Sequence, residues 1–506
     1  MSKKRKFNRQ QENQLAWERI DQWINIVIIA TVAVLPLLIH ATSKLIISPV
    51  LSSAAETGTE IELYASYKFY FLVLVTLILL GLLFIKMIKH HFIIQKTPLN
   101  ILLFIFASLL LLSLFAAQYK SAALYGSFER REGTLSFLCY ILLFFVAINT
   151  TFFEHFSRWL KIALGVVVAS NLVLELFAFF KINLLHYAWF KSVLIPSLSN
   201  YNAKGIISST LYNPNYVSGF FSALFVFFLI YAFHEPDWKN KTINLLLALA
   251  CFMLLMAAKS SSGFVALFIA SPLIIWLLLQ HKKPVQKLIY SGIIILSAIL
   301  LICLLSAYQP RIYHEAITAP REAVSEISHW NSHEQITTKT NLDSLELPKP
   351  GTAPLNGRFY LWEKTLNLIK NHPIFGYGLD TIVYYFPQND PEMLANMGSL
   401  KSIVDKPHSY YLGIAFGAGI LALLVLLSIF YFCIRYTLQT VRSNQAGAPP
   451  LSAAILAFTA VFLLQWLVND SNIASSTVFW ILNGVAVSIF LKNNPSLAQT
   501  ELHNRK

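Results

Sequence analysis

The strongest constraint on this chain is a repeated one. Apolar runs of near twenty residues recur from one end to the other, each long enough at 1.5 Å per residue to cross ~30 Å of hydrocarbon. About twelve such runs are present: Trp23–Ile39, Phe69–Ile85, Leu99–Ala117, Thr134–Ile148, Leu160–Phe180, Tyr216–Phe233, Ile243–Ala258, Phe264–Leu279, Leu288–Ala307, Tyr410–Tyr431, Leu451–Val468 and Ile473–Leu491. The fourth, seventh and last are short enough that one could be re-entrant, which brackets the count at about eleven to thirteen. Charged residues make up 13% of the chain, where a soluble domain carries about 25%. Too few polar groups remain to cover a water-facing surface, so a soluble enzyme, a fibrous protein and a disordered chain are excluded. The expected fold is an all-α polytopic integral membrane protein with about twelve transmembrane helices and one large external loop.

Lys and Arg exceed Asp and Glu by 39 to 25, a net charge of +14. In a soluble protein that excess would raise nucleic acid as a partner; here no nucleic acid is expected, because Lys and Arg gather on the cytoplasmic side of short membrane loops. With the N-terminus inside, 21 of them fall in inner segments: Lys3 to Arg19, Lys86 to Lys96, Arg158 and Lys161, Lys239 and Lys241, Lys282 to Lys287, Arg435 and Arg442, and Lys492 to Lys506. The short outer segments hold 8: Lys44, Lys120, Arg130, Arg131, Lys181, Lys191, Lys204 and Lys259. This asymmetry predicts cytoplasmic N- and C-termini. The basic start is too long, and its apolar run too complete, for a cleaved signal peptide. Cys139, Cys251, Cys303 and Cys433 all sit within or at the end of apolar runs with no Cys-x-x-Cys pair, so neither a disulfide framework nor a metal centre is expected.

The chain therefore divides into a basic N-terminal segment (1–22), a first membrane block (23–308), an external loop (309–408), a second membrane block (409–492) and a cytoplasmic tail (493–506). A loop of about a hundred residues is far longer than an ordinary connection and is either functional or disordered. Within it, Ser332 to Pro354 reads as a linker. Asn356 to Asn371 reads as an amphipathic helix with Phe359, Trp362, Leu366 and Ile369 on one face, ended by Pro373 and Gly376-Tyr377-Gly378.

Chemically suggestive residues collect on the predicted outer face. Arg130 and Arg131 adjoin the fourth run; guanidinium suits phosphate because its planar donors bind two oxygens at once, though the pair could equally be matched to Glu129 and Glu132. Asn213-Pro214-Asn215 opens the sixth run and either caps that helix or offers two amides to a sugar. Lys259, with Ser260-Ser261-Ser262-Gly263, forms a tight turn that either meets an anion or caps the eighth run. Glu175 lies among apolar neighbours, a functional candidate unless it reaches water at the nearby helix end. Arg358 opens the amphipathic helix with Trp362 one turn on. His408 stands where the chain re-enters the membrane; it is either a hydrogen-bonding residue or a proton acceptor near neutral pH.

Taken together, Asn356-Gly357-Arg358, Trp362, Pro373, Gly376-Tyr377-Gly378, His408-Ser409 and Gly417-Ala418-Gly419, with Asn213-Pro214-Asn215 and Arg130-Arg131-Glu132-Gly133 upstream, resemble the O-antigen ligase family, which includes polysaccharide polymerases and O-linked oligosaccharyltransferases. The layout of spans and the late external loop resemble it too. The resemblance implies a GT-C-like fold and a glycosyltransferase in the bacterial cytoplasmic (inner) membrane. Its donor would be a polyprenyl diphosphate-linked glycan, its acceptor a glycan, lipid or protein, and membrane lipids its surroundings. Carried to this sequence, Arg358 would bind or stabilise the departing diphosphate, His408 would orient or deprotonate the acceptor hydroxyl, and Arg130, Arg131 and Lys259 would add positive charge. Asn213, Asn215, Trp362 and Glu175 would line the substrate. No cofactor is implied, arginine taking the place of a metal ion, and direct displacement would invert the anomeric centre. One departure is visible: Ser261 stands where many relatives carry arginine. A flippase for lipid-linked glycans is the competing class, but transporters place charged or broken-helix sites near the midplane, whereas here the polar groups gather at one face.

Overall fold

The computed structural model describes residues 3–46, 58–195, 206–279, 357–388, 403–443 and 450–494, with the isolated positions 285, 292 and 296. The expected span Leu288–Ala307 and the linker Ser332–Pro354 lie outside the described residues. In chain order the elements are α1 (Lys3–Val34), β1 (Thr42–Ile46), β2 (Gly58–Glu62), α2 (Ser66–His90), α3 (Pro98–Ala116), α4 (Lys120–Tyr125), α5 (Thr134–Ile148), α6 (Phe156–Phe179), α7 (Ala188–Leu194), α8 (Pro214–His234), α9 (Trp238–Ala257), α10 (Ser261–Leu279), α11 (Arg358–Asn371), α12 (Tyr410–Arg442), α13 (Pro450–Gln465) and α14 (Ile473–Asn493). Among the described residues, 9 helices are long and apolar enough to cross a membrane, and α5 and α13 are shorter apolar helices.

Two helices form the interior. Helix α14 is buried along almost its whole length and α8 along most of it, with α14 packed on α5, α12 and α13, and α8 on α9, α10 and α13. Neither is simply oily. Small residues let their neighbours approach closely, as apolar driving force alone does not hold helices together in lipid. A Cβ on Gly484 would press on Ala147, and one on Gly263 would meet the hydroxyl and carbonyl of Ser218. Buried polar side chains add cross-links: Thr459 Oγ1 donates to Asn483 Oδ1 at 3.2 Å, and Ser488 Oγ donates to the carbonyl of Thr150 at 2.7 Å. At one end of the bundle Lys86 and Asp21 pair at 2.7 Å, both buried, with Lys86 also donating to the carbonyl of Asn149 at 3.0 Å. This ties α1 and α2 to the turn between α5 and α6.

Several sequence expectations change in detail. Helix α1 begins at Lys3, well before the apolar run, and ends in a 3-10 turn at Leu35–Leu37 that contains Pro36. A hairpin of β1 and β2 (Thr42 opposite Glu62, Ile46 opposite Gly58) fills the first interval between spans. The amphipathic helix exists as α11, but its buried residues are Tyr360, Leu361, Thr365 and Ile369. Leu366 is exposed, while Phe359 and Trp362 are only partly covered. The buried stripe is rotated because α11 packs against α12, not against a flat interface.

The most consequential departure lies in α12, a 33-residue helix that contains one non-helical residue, Gly419, at φ 88° and ψ 167°. That conformation is open almost only to glycine. It frees backbone groups that a membrane helix would otherwise bond internally, and a distant segment takes them up. Tyr377 N donates to Phe416 O at 2.9 Å, Gly378 N to Gly417 O at 2.8 Å, and Ile420 N to Pro373 O at 2.8 Å. Ser113 Oγ from α3 donates to the same Gly417 carbonyl at 2.5 Å. Pro373, the Gly376-Tyr377-Gly378 triplet and Gly417-Ala418-Gly419, about forty residues apart in sequence, are thus one structural unit. A Cβ on Gly419 would fall onto the carbonyl oxygen of Ile374, and one on Gly376 onto Phe416 O. Gly419→Ala should therefore cost about 3 kcal/mol or more and lower the melting temperature in detergent sharply. Gly81→Ala, in α2 with nothing within 4 Å of the new methyl, should be neutral or stabilising by roughly 0.5–1 kcal/mol. Equal melting temperatures for the two variants would contradict this reading.

Candidate active site

The segment before α5 closes on itself. Gly126 has φ 78°, and a Cβ on Gly133 would run into the backbone of Gly126 and Leu124, so Ser127 to Glu132 form a tight loop. Arg130 reaches the docked segment after α11: it pairs with Asp380, and with Asp405 at 2.8 Å, and also donates to Asp405 O at 2.7 Å. Ser127 N donates to Asp380 Oδ2 at 2.6 Å. Arg131, at φ 58°, places its Nε 3.2 Å from Ser66 Oγ and its guanidinium 5.0 Å from the Phe128 ring centroid. The alternative in which these arginines pair with Glu129 and Glu132 is not what forms. Glu132 turns inward and accepts from Ser471 Oγ at 2.6 Å, Tyr140 OH at 3.0 Å and Ser476 Oγ at 3.3 Å. Burial pushes its carboxyl up to about 7, against those hydroxyl donors.

The strap 403–409 carries the next three groups. Asp405 meets Arg130, and Lys406 Nζ lies 3.3 Å from Tyr216 OH. His408, at φ 51°, sets Nδ1 3.2 Å from Asp470 Oδ2. Arg358, at the start of α11, donates from Nη2 to Asn469 Oδ1 at 3.4 Å. Thus Arg358 and His408, fifty positions apart, are held by the adjacent residues Asn469 and Asp470 in the turn between α13 and α14. Burial alone would raise the Asp405 and Asp470 carboxyls; Lys406, Arg130 and His408 hold both below the ordinary range. Burial opposes the Lys406 charge, but Tyr216 and Asp405 keep that ammonium above its ordinary value. Among the described residues, four buried polar atoms near these groups have no hydrogen-bond partner: the donors Asn469 Nδ2, Tyr410 OH and Trp362 Nε1, and Asp470 Oδ2, which faces His408 Nδ1 without the geometry of a hydrogen bond. Unpaired buried donors are uncommon in folded proteins, and these suit a polar ligand. Trp362 itself packs edge-on to Phe359 at 5.6 Å.

Other candidates take quieter positions. Asn213 caps α8, its Oδ1 accepting from Asn215 N at 2.9 Å. Asn215 accepts from Ser260 Oγ at 2.7 Å and, through its carbonyl, from Gln465 Nε2 at 3.2 Å, so it binds α8 to α10 and α13. Lys259 is exposed at φ 51° and acts electrostatically on Glu175. Neither borders the clefts described next.

Two clefts lie on either side of Arg130, Asp405 and Lys406; Arg358 and His408 line neither. The first is lined by Arg130, Glu132, Asp380, Asp405, Lys406, Tyr410, Asp470 and Ser471 over an apolar floor that includes Phe137, Ile414 and Phe416. The second is lined by Tyr64, Lys68, Glu129, Thr210, Tyr212, Tyr216 and Asn472 through Ala474. Arg130, Asp405 and Lys406 belong to both and form the wall between them. Hydrogen bonding to sugar hydroxyls, electrostatic holding of an anion and proton transfer at His408 are the chemistry this arrangement can perform. Sequence reading missed Asp380, Asp405, Asn469, Asp470 and Lys68. One signal was available: Asn469-Asp470-Ser471-Asn472 is a wholly polar turn between two apolar runs.

Glu132 yields a pH prediction. A carboxyl raised from its ordinary 4.5 to about 7 binds a proton in the fold that the unfolded chain has released, so its contribution is intact below about pH 4.5 and is lost as pH climbs toward 7. The loss across that interval is about 3 kcal/mol. Glu132→Gln should flatten the fall in melting temperature between about pH 5 and 7.5; parallel wild-type and variant profiles would refute the assignment.

A comparison with curated proteins gives no match. A family model described as O-antigen ligase matches residues 245–427, a stretch that contains Arg358, Trp362, the Gly376-Tyr377-Gly378 triplet, Asp380, Asp405, His408 and the α12 break, and leaves Arg130, Asn213 and Asp470 outside. Joined to the apolar helices that make this an integral membrane protein, the match shows that residues 245–427 are similar to an O-antigen ligase family.

Proposed function

We propose that this chain is a membrane glycan transferase of cell-envelope polysaccharide synthesis. It moves a saccharide from a polyprenyl diphosphate carrier to a glycan, lipid or protein acceptor, as a ligase or a repeat-unit polymerase. In this reading it spans the bacterial cytoplasmic membrane about twelve times in a GT-C-like arrangement, with both termini cytoplasmic and the clefts on the outer face. The observation that carries the reading is the shared turn: Asn469 contacts Arg358 while Asp470 faces His408 Nδ1. A carboxylate 3.2 Å from Nδ1 favours the tautomer with its proton there, which leaves Nε2 to accept one.

The reaction follows directly. An acceptor hydroxyl, hydrogen-bonded among the carboxylates of the first cleft, attacks the anomeric carbon while its proton passes to His408 Nε2. The bond from that carbon to the diphosphate oxygen breaks, and the electron pair leaves with the carrier diphosphate. Arg358 meets the developing charge, with Arg130 and Arg131 contributing to the local positive field. A single displacement of this kind inverts the anomeric centre, and the arginines supply the charge that a metal ion would otherwise provide. Trp362, Asn213, Asn215, Lys259 and Glu175 are proposed to shape the surroundings of the substrate rather than to touch the reacting atoms.

Arg358→Ala and His408→Ala should each lower transfer from a polyprenyl diphosphate-linked glycan in membranes by about 10²–10³-fold while leaving the amount of folded protein unchanged. Full transfer by both variants would overturn the catalytic assignment.

A further inference from the structure

Helix α2 buries two lysines, and they are treated differently. Lys86, near one end, has a carboxylate partner, Asp21, at 2.7 Å. Lys68, five turns away near the other end, is 2% exposed. Its ammonium donates to the carbonyls of Tyr64 at 2.7 Å and Thr210 at 2.9 Å, and among the described residues no carboxylate lies within ion-pair distance of it. An ammonium carries three donors, so one remains. Burying a charge without a counter-ion is costly, and Glu62, six residues before Lys68, spends its carboxylate on the backbone N–H groups of Tyr64, Ala65 and Ser66.

Lys68 borders the second cleft, where the cations Lys68, Arg130 and Lys406 outnumber the carboxylates Glu129 and Asp405. Lys406 contributes a second ammonium from the wall shared with the first cleft. Ile473 and Ala474 open α14, and their N–H groups have no carbonyl within the helix to bond, so the positive end of a 21-residue helix faces the same space. Across the Arg130–Asp405–Lys406 wall the balance reverses, since Glu132, Asp380 and Asp470 line the first cleft. One side is built to accept hydrogen bonds from hydroxyls. The other is built to hold an anion.

We propose that the second cleft binds a phosphate group of a substrate, with Lys68 and Lys406 and the first turn of α14 as its ligands. The phosphate supplies Lys68 with the counter-ion that no carboxylate among the described residues provides. Two sources share this chemistry: the diphosphate of the lipid carrier, and a phosphorylated sugar of the acceptor. The inference rests on the transferase reading only for the identity of that phosphate.

Binding to the full chain in lipid nanodiscs, measured without turnover, tests it with three probes: inorganic pyrophosphate, a polyprenyl diphosphate without glycan, and a hexose 6-phosphate. Lys68→Gln, which keeps donors for the two carbonyls, and Lys406→Gln should each weaken pyrophosphate binding roughly tenfold or more. Lys86→Gln, which also removes a buried charge, should leave it unchanged. If the Lys68→Gln loss extends to polyprenyl diphosphate, the phosphate is the carrier's; if it extends only to the hexose phosphate, it is the acceptor's. Wild-type pyrophosphate affinity in folded Lys68→Gln and Lys406→Gln proteins would overturn the proposal. Anion binding at Lys68 in a protein that transfers no glycan would sink the transferase reading and leave this one standing, while transfer with no such binding would do the reverse.

Discussion

Backbone hydrogen bonding in a low-dielectric interior is the constraint on which this molecule turns. A helix can break inside a membrane only if something else satisfies the freed groups. At Gly419 that something is the segment Pro373–Gly378, which exchanges three main-chain hydrogen bonds with α12. The exchange docks a loop that would otherwise sit above the bundle, and the docked loop brings Asp380 to Arg130 and Ser127. Arg130 in turn holds Asp405 and hence the strap that carries His408. The position of the proposed base therefore descends, step by step, from one residue whose φ of 88° excludes a side chain.

Charge is handled at the two ends of the bundle in contrasting ways. Lys86 and Asp21 neutralise each other in a closed pair. At the other end the charges are numerous and asymmetric, with carboxylates in excess in one cleft and cations in excess in the next. Strained backbone gathers there too: Arg131, Tyr212, Lys259, Asp380 and His408 all adopt positive φ without being glycine, a conformation that surrounding structure must hold in place. Such concentrated strain and unpaired polarity are expected where a fold has been shaped for a substrate as well as for stability.

The membrane architecture was legible in the sequence because a 20-residue apolar run has few other physical solutions. The motif residues were legible too, yet their relations were not. Arg358 and His408 announce themselves as polar groups at a membrane re-entry, but only folding shows that Asn469 and Asp470 hold them together. Asn213 reads as either a cap or a sugar ligand, and its Oδ1 bonds the next turn. Periodicity alone does not say which neighbour a helix will meet, and α12 rather than lipid covers the buried face of α11. Pairings such as Arg130 with Asp380, or the isolation of Lys68, depend on contacts across 250 or 142 positions, which local pattern cannot reach.

The central claim is that His408 and Asp470 act as one unit in proton transfer. A double-mutant cycle in the glycan-transfer reaction tests it most directly. His408→Ala, Asp470→Asn and the double variant should lose activity to nearly the same extent, about 10²–10³-fold, because removing either member disables the pair. Losses that multiply in the double variant, or an Asp470→Asn protein as active as wild type, would show that the two residues work independently and that the account is wrong.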